Sequence, residues 1–284
     1  MSRTIILIGG PDTGKTNFLA RLIAHLRDGK GSLRATRLPD DIQYIENALA
    51  HLMKGEFAPR SHNTTEEVSG DIVIDVLETS SGEEATIGVP DVSGETWDEV
   101  AKSAEISQAW LARVRQASGA LLFLRVLSDL NVDPLDWVNA PKLLALTGPN
   151  AQFAIPTQVM LCEFLRLLEE NLSSEVGGVP RVGIVLTAYD RLDAPTRAAG
   201  PAAFIEHNYP LFAGKIANCA NLDIGIFGSS VVGGELTDHA FKIDYLEGDI
   251  VECGYIMDGT VTPARETGDI SLPVSWVLKF MNAP

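Results

Sequence analysis

The feature that constrains the fold most is a short glycine-bearing segment near the N-terminus. It reads Gly9-Gly10-Pro11-Asp12-Thr13-Gly14-Lys15-Thr16 and fits the pattern G-x-x-x-x-G-K-[ST]. An apolar run at residues 5–8 precedes it, and residues 16–26 repeat apolar side chains at helical spacing. Glycines let the backbone between such a strand and helix curl tightly, so that successive N–H groups point inward at an anion. The sequence therefore predicts a phosphate-binding loop (P-loop).

Each part of this loop has a predicted role at a bound nucleotide. Lys15 supplies a cation for the β- and γ-phosphates and is a candidate catalytic residue, and the Thr16 hydroxyl is a predicted ligand for Mg²⁺. The following helix directs the positive end of its dipole at the phosphates. The predicted nucleotide-contacting residues of this segment are Gly10, Pro11, Asp12, Thr13, Gly14, Lys15, Thr16 and Asn17.

Apolar runs alternate with amphipathic stretches along the chain, which is typical of an α/β fold. Strands are predicted at residues 5–8, 71–78, 85–89, 119–127, 181–186 and 222–227. Helices are predicted at residues 16–26, 39–54, 96–116, 156–172 and 272–281, and at 194–220 with breaks at Gly200 and Pro210. We expect a three-layer, mainly parallel sheet with helices on both faces, the fold class of P-loop NTPases.

The domain organisation predicted is a single domain over residues 1–284, with insertions at about 28–60, 128–155 and 235–271. In the last insertion, apolar and polar residues alternate around residues 246–249, which predicts a small β-hairpin. Because this segment follows the last core strand, we expect it to pack near the base of the nucleotide and to offer a surface to a partner.

Composition narrows the possible partners and compartment. The formal net charge of −16 makes nucleic acid or an anionic membrane an unsuitable partner. No apolar run reaches the roughly 18 residues that span a bilayer. The three cysteines, Cys162, Cys219 and Cys253, form no CxxC motif, so we expect neither a zinc site nor a disulfide framework, and a reducing, cytoplasmic location.

Three further motifs follow predicted strands. The strand at 85–89 leads into Asp91-Val92-Ser93-Gly94, where Asp91 can hold Mg²⁺ and the Gly94 N–H can reach the γ-phosphate. The strand at 181–186 leads into Thr187-Ala188-Tyr189-Asp190, and Ser229-Ser230-Val231 follows the last core strand. The order and spacing of these motifs resemble those of the Ras-like and translation-factor-related GTPases, whose third motif is D-x-x-G and whose fourth is N/T-K-x-D.

This resemblance implies a small-GTPase-like site for GTP/GDP and Mg²⁺. Asp190 would accept hydrogen bonds from guanine N1 and N2, with Thr187 beside it, and backbone N–H groups at Ser230 and Val231 would reach the guanine O6. The sequence departs from the family pattern at Ala188, where a Lys is expected. More narrowly, the T-A-x-D variant and the enlarged domain are similar to bacterial double-GTPase-type proteins of multigene conflict systems.

The resemblance also implies mobile elements around the γ-phosphate. A loop before the second core strand would carry a Thr that closes on Mg²⁺, and Thr65 is the preferred candidate, with Thr64 second. Glu95 stands where Ras-like enzymes place a water-orienting Gln, which predicts slow intrinsic hydrolysis. Candidates for an arginine acting in cis are Arg34, Arg37 and Arg60, although a surface position is expected for each.

These observations predict a GTP-binding, slowly GTP-hydrolysing regulatory switch that acts with a protein partner. One alternative is a nucleotide-holding assembly module with little hydrolysis, which Glu95, Pro11 and Ala188 favour. The other is an ATP-dependent P-loop enzyme, because the P-loop alone does not select the base.

Overall fold

The computed structural model describes residues 2–38, 43–58, 72–89, 97, 100, 103, 105–134, 155–173, 178–249 and 252–278. The strands among them are β1 Ser2–Ile8, β2 Leu33–Arg37, β3 Ile72–Glu78, β4 Glu84–Val89, β5 Gly119–Arg125, β6 Arg181–Thr187, β7 Asp223–Ser230, β8 Tyr255–Asp258 and β9 Arg265–Thr267. The helices are α1 Lys15–Asp28, α2 Gln43–Leu52, α3 Gln108–Gln116, α4 Thr157–Asn171, α5 Ala194–Ala199, α6 Pro201–Asn208, α7 Pro210–Ala217, α8 His239–Glu247 and α9 Leu272–Leu278, with a 3₁₀ turn at Tyr189–Arg191.

All of the strands belong to one mixed sheet with the order β2-β3-β4-β1-β5-β6-β7-β8-β9. The five central strands, β4, β1, β5, β6 and β7, run parallel to one another. Each outer strand, β3 and β2 on one side and β8 and β9 on the other, pairs antiparallel with its inner neighbour. Strand β1 is apolar on both faces, since Ile5 and Ile6 are at most 1% exposed. Continuous apolar strands are characteristic of a parallel sheet that is covered on both sides. The predicted α/β fold class is therefore confirmed.

Two apolar layers cover the sheet. One contains Phe18 and Leu22 of α1 together with Val274 and Val277 of α9. The other, on the opposite face, contains Phe164 of α4 and apolar residues of α6 and α7. Successive side chains of a strand point to opposite faces of the sheet, so the apolar central strands contribute residues to both layers.

Most predicted elements are found, with small changes in their bounds. The antiparallel hairpin of β3 and β4 turns at residues 79–83, where Gly82 has φ +70°. The segment 194–220 forms three helices that break at Gly200 and before Pro210, as predicted. The strand predicted at 222–227 continues to Ser230, which places the predicted Ser229-Ser230 pair at the end of the strand itself.

Two predictions about elements are wrong, and one strand was missed. Residues 96–116 are not one helix, because residues 105–107 are not helical and the Ser107 hydroxyl caps a new helix by accepting the Trp110 N–H. Strand β2 was not predicted at all. The hairpin expected around residues 246–249 is instead the helix α8, which Asp238 caps at its N-terminus, since its carboxylate accepts the N–H groups of Ala240 and Phe241.

The segment after β7 contacts three separate parts of the protein. The Tyr245 hydroxyl of α8 donates to the Leu52 carbonyl at the end of α2. The real hairpin, β8 and β9, extends the sheet beyond β7, and Tyr255 pairs with Ser230. Asp269 accepts hydrogen bonds from His25 and Ser32 and so fastens the C-terminal end of α1. The start of β8 and Glu235 therefore lie near the predicted base-binding residues.

Candidate nucleotide site

The parallel strands bring the predicted motifs to one edge of the sheet. The P-loop follows β1, Thr187 ends β6, and Ser229-Ser230 ends β7. Carboxyl ends of neighbouring parallel strands meet at the same edge, which is where open α/β sheets bind ligands. Residues from these distant parts of the chain therefore come together at this edge of the sheet.

The P-loop backbone adopts a conformation that depends on its glycines. A Cβ atom on Gly9 would lie 2.8 Å from the Thr13 hydroxyl and 2.9 Å from the Phe123 carbonyl oxygen, so a side chain does not fit there. Gly14 has φ +84° and would bring a Cβ within 3.2 Å of Thr187. Such a tight turn directly before a helix is the cradle that phosphate oxygens require. The loop therefore fits the nucleotide phosphates predicted from its sequence.

Lys15 lies across this loop rather than extending away from it. Its ammonium donates to the carbonyl oxygens of Gly9 and Gly10 at 2.6 and 3.0 Å, and lies 3.4 Å from the Thr13 hydroxyl. Because these contacts hold the charge over the loop, the lysine stands next to the N–H groups that would receive the phosphates.

Asn17 connects the start of α1 to the segment that precedes the predicted mobile threonines. Its side-chain oxygen accepts the Ala58 N–H at 3.2 Å. The side chain of Asn17, predicted to contact nucleotide, is thus engaged with the chain that leads toward Thr64 and Thr65. Direct nucleotide contact by Asn17 stays a prediction.

Residues at the ends of two neighbouring strands bond to the crest of the P-loop, which is formed by Asp12 and Thr13. The Thr187 hydroxyl, at the end of β6, donates to the Thr13 carbonyl at 2.8 Å. The Arg125 guanidinium, at the end of β5, donates to the Asp12 carboxylate at 2.8 Å. Asp12 has φ +59°, a left-handed conformation that Asp tolerates better than most residues. The predicted fourth motif is therefore physically connected to the phosphate loop.

Asp190 is partly buried and lies beside the end of β7. Burial raises its pKa above the ordinary Asp value, a hydrogen bond from the Ser230 hydroxyl opposes that rise, and the charge of Glu235 adds to it. Ser230 is fully buried and also accepts the Gly233 N–H at 2.8 Å. The two residues predicted to contact guanine are therefore in contact with each other.

The chain between Thr187 and Asp190 is fixed by its packing. Ala188 adopts a left-handed conformation with φ +54°, and Tyr189 inserts into the apolar layer with no exposed surface. A Cβ atom on Gly228 would lie 2.6 Å from the Tyr189 ring, so only glycine allows this ring to lie flat on β7. The Tyr189 anchor therefore aims the next residue, Asp190, at the sheet edge.

Comparison with known protein families agrees with this geometry. Residues 6–277 match the family described as Double-GTPase 1 (DO-GTPase1). The chain belongs to this family. Membership in a family of double GTPases identifies the P-loop as that of a GTPase and implies that it binds guanine nucleotide. Among curated proteins, none matched the chain.

Several predicted site residues of this double-GTPase-type chain lie outside the described residues. These are Thr64, Thr65 and Arg60 in the segment 59–71, and Asp91, Gly94 and Glu95 in the segment 90–96. Their roles remain predictions. The structure describes two of the three arginines that were candidates to act in cis, Arg34 and Arg37. Both are exposed on the edge strand β2, and Arg34 pairs with Leu77 near the edge of the sheet opposite the P-loop. Arg34 is therefore unsuited to act on the phosphates.

Two residues near the site were not found from the sequence. Arg125 ends an otherwise apolar run, GALLFLR, and a charged residue in that position was the available signal. Burial raises the pKa of Tyr255 at the start of β8, and the nearby charge of Asp190 raises it further, while the positive charge of Arg197 opposes the rise. No sequence pattern indicates that Tyr255 approaches Asp190, because the contact depends on strand pairing across a long connection.

Within the part of the chain that the structure describes, no helix has both the length and the apolar character needed to cross a bilayer.

Proposed function

We propose that the protein is a guanine-nucleotide switch that hydrolyses GTP slowly and acts with a protein partner in the cytoplasm. The observation that carries the proposal is the hydrogen bond from Thr187 to the Thr13 carbonyl. It joins the phosphate-binding loop to the motif that ends in Asp190, so phosphate binding and base recognition share one rigid connection. This connection favours a guanine-nucleotide site over a general phosphate site.

Selection of guanine is assigned to Asp190. An ionised carboxylate can accept both the N1 and N2 hydrogens of guanine, whereas adenine offers no matching pair. The partly buried position of Asp190 beside Ser230 supports this role, because a partly desolvated carboxylate forms stronger hydrogen bonds than an exposed one. This argument disfavours the ATP-dependent alternative.

The Mg²⁺ ion that accompanies GTP would be held by Thr16, Asp91 and Thr65. Hydroxyl and carboxylate oxygens are the ligands that Mg²⁺ prefers, and Thr16 lies in the first turn of α1, directly after the P-loop. The ion supplies charge neutralisation at the phosphates when it is bound. The protein's own contribution is to position the phosphates through the P-loop N–H groups and Lys15.

Slow hydrolysis is expected because Glu95 occupies the position where Ras-like enzymes have a water-orienting Gln. A carboxylate beside the γ-phosphate repels the charge that develops there. The Asp12 carboxylate on the loop crest adds a second negative group, although Arg125 partly neutralises it. We expect a single-turnover rate on the order of 10⁻³ s⁻¹ or less without a partner.

Hydrolysis by Glu95 variants tests this proposal. Phosphate release from bound GTP is measured for the parent, Glu95→Gln and Glu95→Ala, with Lys15→Ala as the inactive control. The account predicts that Glu95→Gln is faster than the parent and that Glu95→Ala is not. A parent that turns over several times per second without a partner contradicts slow hydrolysis, and no hydrolysis in the parent or in Glu95→Gln favours the assembly-module alternative.

A further inference from the structure

The contact between Arg125 and Asp12 places a guanidinium at the crest of the P-loop. Arg125 is the last residue of β5, and its side chain is about one-third exposed, with an Nη1 atom 2.8 Å from the Asp12 carboxylate. Surface ion pairs of this kind contribute little to stability. The small stability gained from this ion pair therefore does not explain why the loop carries a carboxylate whose charge an arginine must neutralise.

Strand pairing fixes where Arg125 stands in the site. Arg125 pairs with Thr187 of the neighbouring strand β6, and the Val126 N–H donates to the Thr187 carbonyl at 3.1 Å. Arg125 also lies on the same face of β5 as Phe123, whose ring packs on Phe18 of α1. The guanidinium therefore lies on the P-loop side of the sheet, between the phosphate loop and the chain that leads to Asp190.

This position is next to the one where the fourth motif has no basic side chain. Thr187 is followed by Ala188, and the small side chain of Ala188 can neither carry charge nor cover a base. Arg125 is the cross-strand neighbour of Thr187 and brings a cation to the same region. A guanidinium has five N–H donors and a flat face that stacks on aromatic rings, so one N–H can bind Asp12 while the face remains suited to a purine.

We propose that Arg125 is a nucleotide-binding residue that covers the purine and supplies the side-chain cation absent at position 188, with Asp12 orienting its guanidinium. This inference rests on the proposed function, since it adds a residue to the same site. Stacking on a purine does not distinguish guanine from adenine. Arg125 therefore contributes to affinity, and Asp190 keeps the role of selecting the base.

Calorimetric titration of the nucleotide-free protein with GDP and with inorganic pyrophosphate tests the proposal. Arg125→Ala is expected to raise the Kd for GDP about tenfold to thirtyfold, the range of a cation–π contact in a partly desolvated site. Its Kd for pyrophosphate, which has no purine, should rise by a clearly smaller factor, because only the charge that offsets Asp12 is lost. Arg166→Ala is the matched control, because Arg166 pairs with Glu163 and Glu170 on the surface of α4 and should change neither Kd.

A rescue variant separates this role from simple support of the loop. Ala188 already has a Cβ atom in its left-handed conformation, so Ala188→Lys adds length without new backbone strain. In the Arg125→Ala background, Ala188→Lys should restore most of the GDP affinity. Restoration by Asp12→Asn instead, without any by Ala188→Lys, would show that Arg125 only neutralises Asp12 and would overturn the proposal.

Two outcomes distinguish this inference from the proposed function. A parent protein that binds no GDP contradicts the proposed function itself. A parent that binds GDP, together with an Arg125→Ala variant of unchanged Kd, contradicts only the role of Arg125. Arg125→Gln, which keeps a polar side chain with hydrogen-bond donors but loses the charge and the reach of the guanidinium, replaces Arg125→Ala if circular dichroism shows that the latter does not fold, and the same loss of GDP affinity is expected.

Discussion

Removing the hydroxyl of Thr187 tests the connection between the phosphate loop and the base-binding motif. Thr187→Val keeps the shape of the side chain but deletes the donor that bonds the Thr13 carbonyl at 2.8 Å. Thr187 is only 6% exposed, so no water easily replaces its hydroxyl. The Thr13 carbonyl therefore loses a protein partner at the crest of the loop.

The magnitude follows from the surroundings of the two groups. A buried acceptor left without a partner costs about 1–3 kcal/mol, and Thr13 is half-exposed, which favours the lower part of that range. A cost of about 1–2 kcal/mol corresponds to about a fivefold to thirtyfold loss of affinity if it falls wholly on the bound state. Any share that falls on folding instead lowers the Tm of the nucleotide-free protein.

Both quantities are measured, by titration with GDP and by thermal unfolding without nucleotide. Thr187→Ser keeps the hydroxyl and is the matched control, with an affinity expected within about threefold of the parent. The account predicts a loss in Thr187→Val that the control does not share. If Thr187→Val matches the parent in both GDP affinity and Tm, the hydroxyl does not tether the loop and the reasoning is refuted.

Three other variants test further parts of the account. Lys15→Ala should abolish nucleotide binding by calorimetry while circular dichroism stays unchanged, since Lys15 contacts the loop rather than the apolar layers. Because burial raises the pKa of Asp190, its ionised form costs stability as pH rises above about 3.9, so Asp190→Asn should raise the Tm at pH 7 and lose guanine selectivity. Asp269→Ala should lower the free energy of unfolding by about 2–4 kcal/mol in denaturant titrations at pH 7. Burial alone would raise the pKa of Asp269, but hydrogen bonds from His25, Ser271 and Ser32 hold it well below its usual range, so the difference should shrink as pH falls below about 3.9.

The central elements of the fold were predictable because their signals are local. The strands β1, β5 and β6 are apolar on both faces, and the P-loop identifies the first strand and helix together. Breaks at Gly200 and Pro210 follow from the conformations of those residues alone. The site motifs directly follow these strands in the sequence, so their positions at the strand ends were predictable as well.

The edges of the sheet were less predictable because tertiary contacts determine them. Strand β2, with the sequence LRATR, has one fully buried residue, Leu33, and gains its structure by pairing with β3. The alternation around residues 246–249 predicted a small hairpin, but Asp238 caps a helix whose Tyr245 hydroxyl donates to the Leu52 carbonyl. Asp238 before the segment and Gly248 after it were the helix signals that could have corrected this prediction.

The role of Arg125 was also hidden in the sequence. Its contact with Asp12 joins residues 113 positions apart, and the contact arises because the register of β5 and β6 sets Arg125 beside Thr187. Sequence spacing identifies motifs within a loop, but it does not report which side chain from a neighbouring strand crosses over that loop. Contacts of this kind require the sheet order and register.

The central claim is that one site binds the phosphates and selects guanine. It is tested most directly by calorimetric titration of the nucleotide-free protein with GDP and with ADP at pH 7. A carboxylate that accepts two hydrogen bonds from guanine is worth on the order of 3 kcal/mol, so the account predicts that GDP binds at least about a hundredfold more tightly than ADP. Equal affinity for the two nucleotides would contradict it.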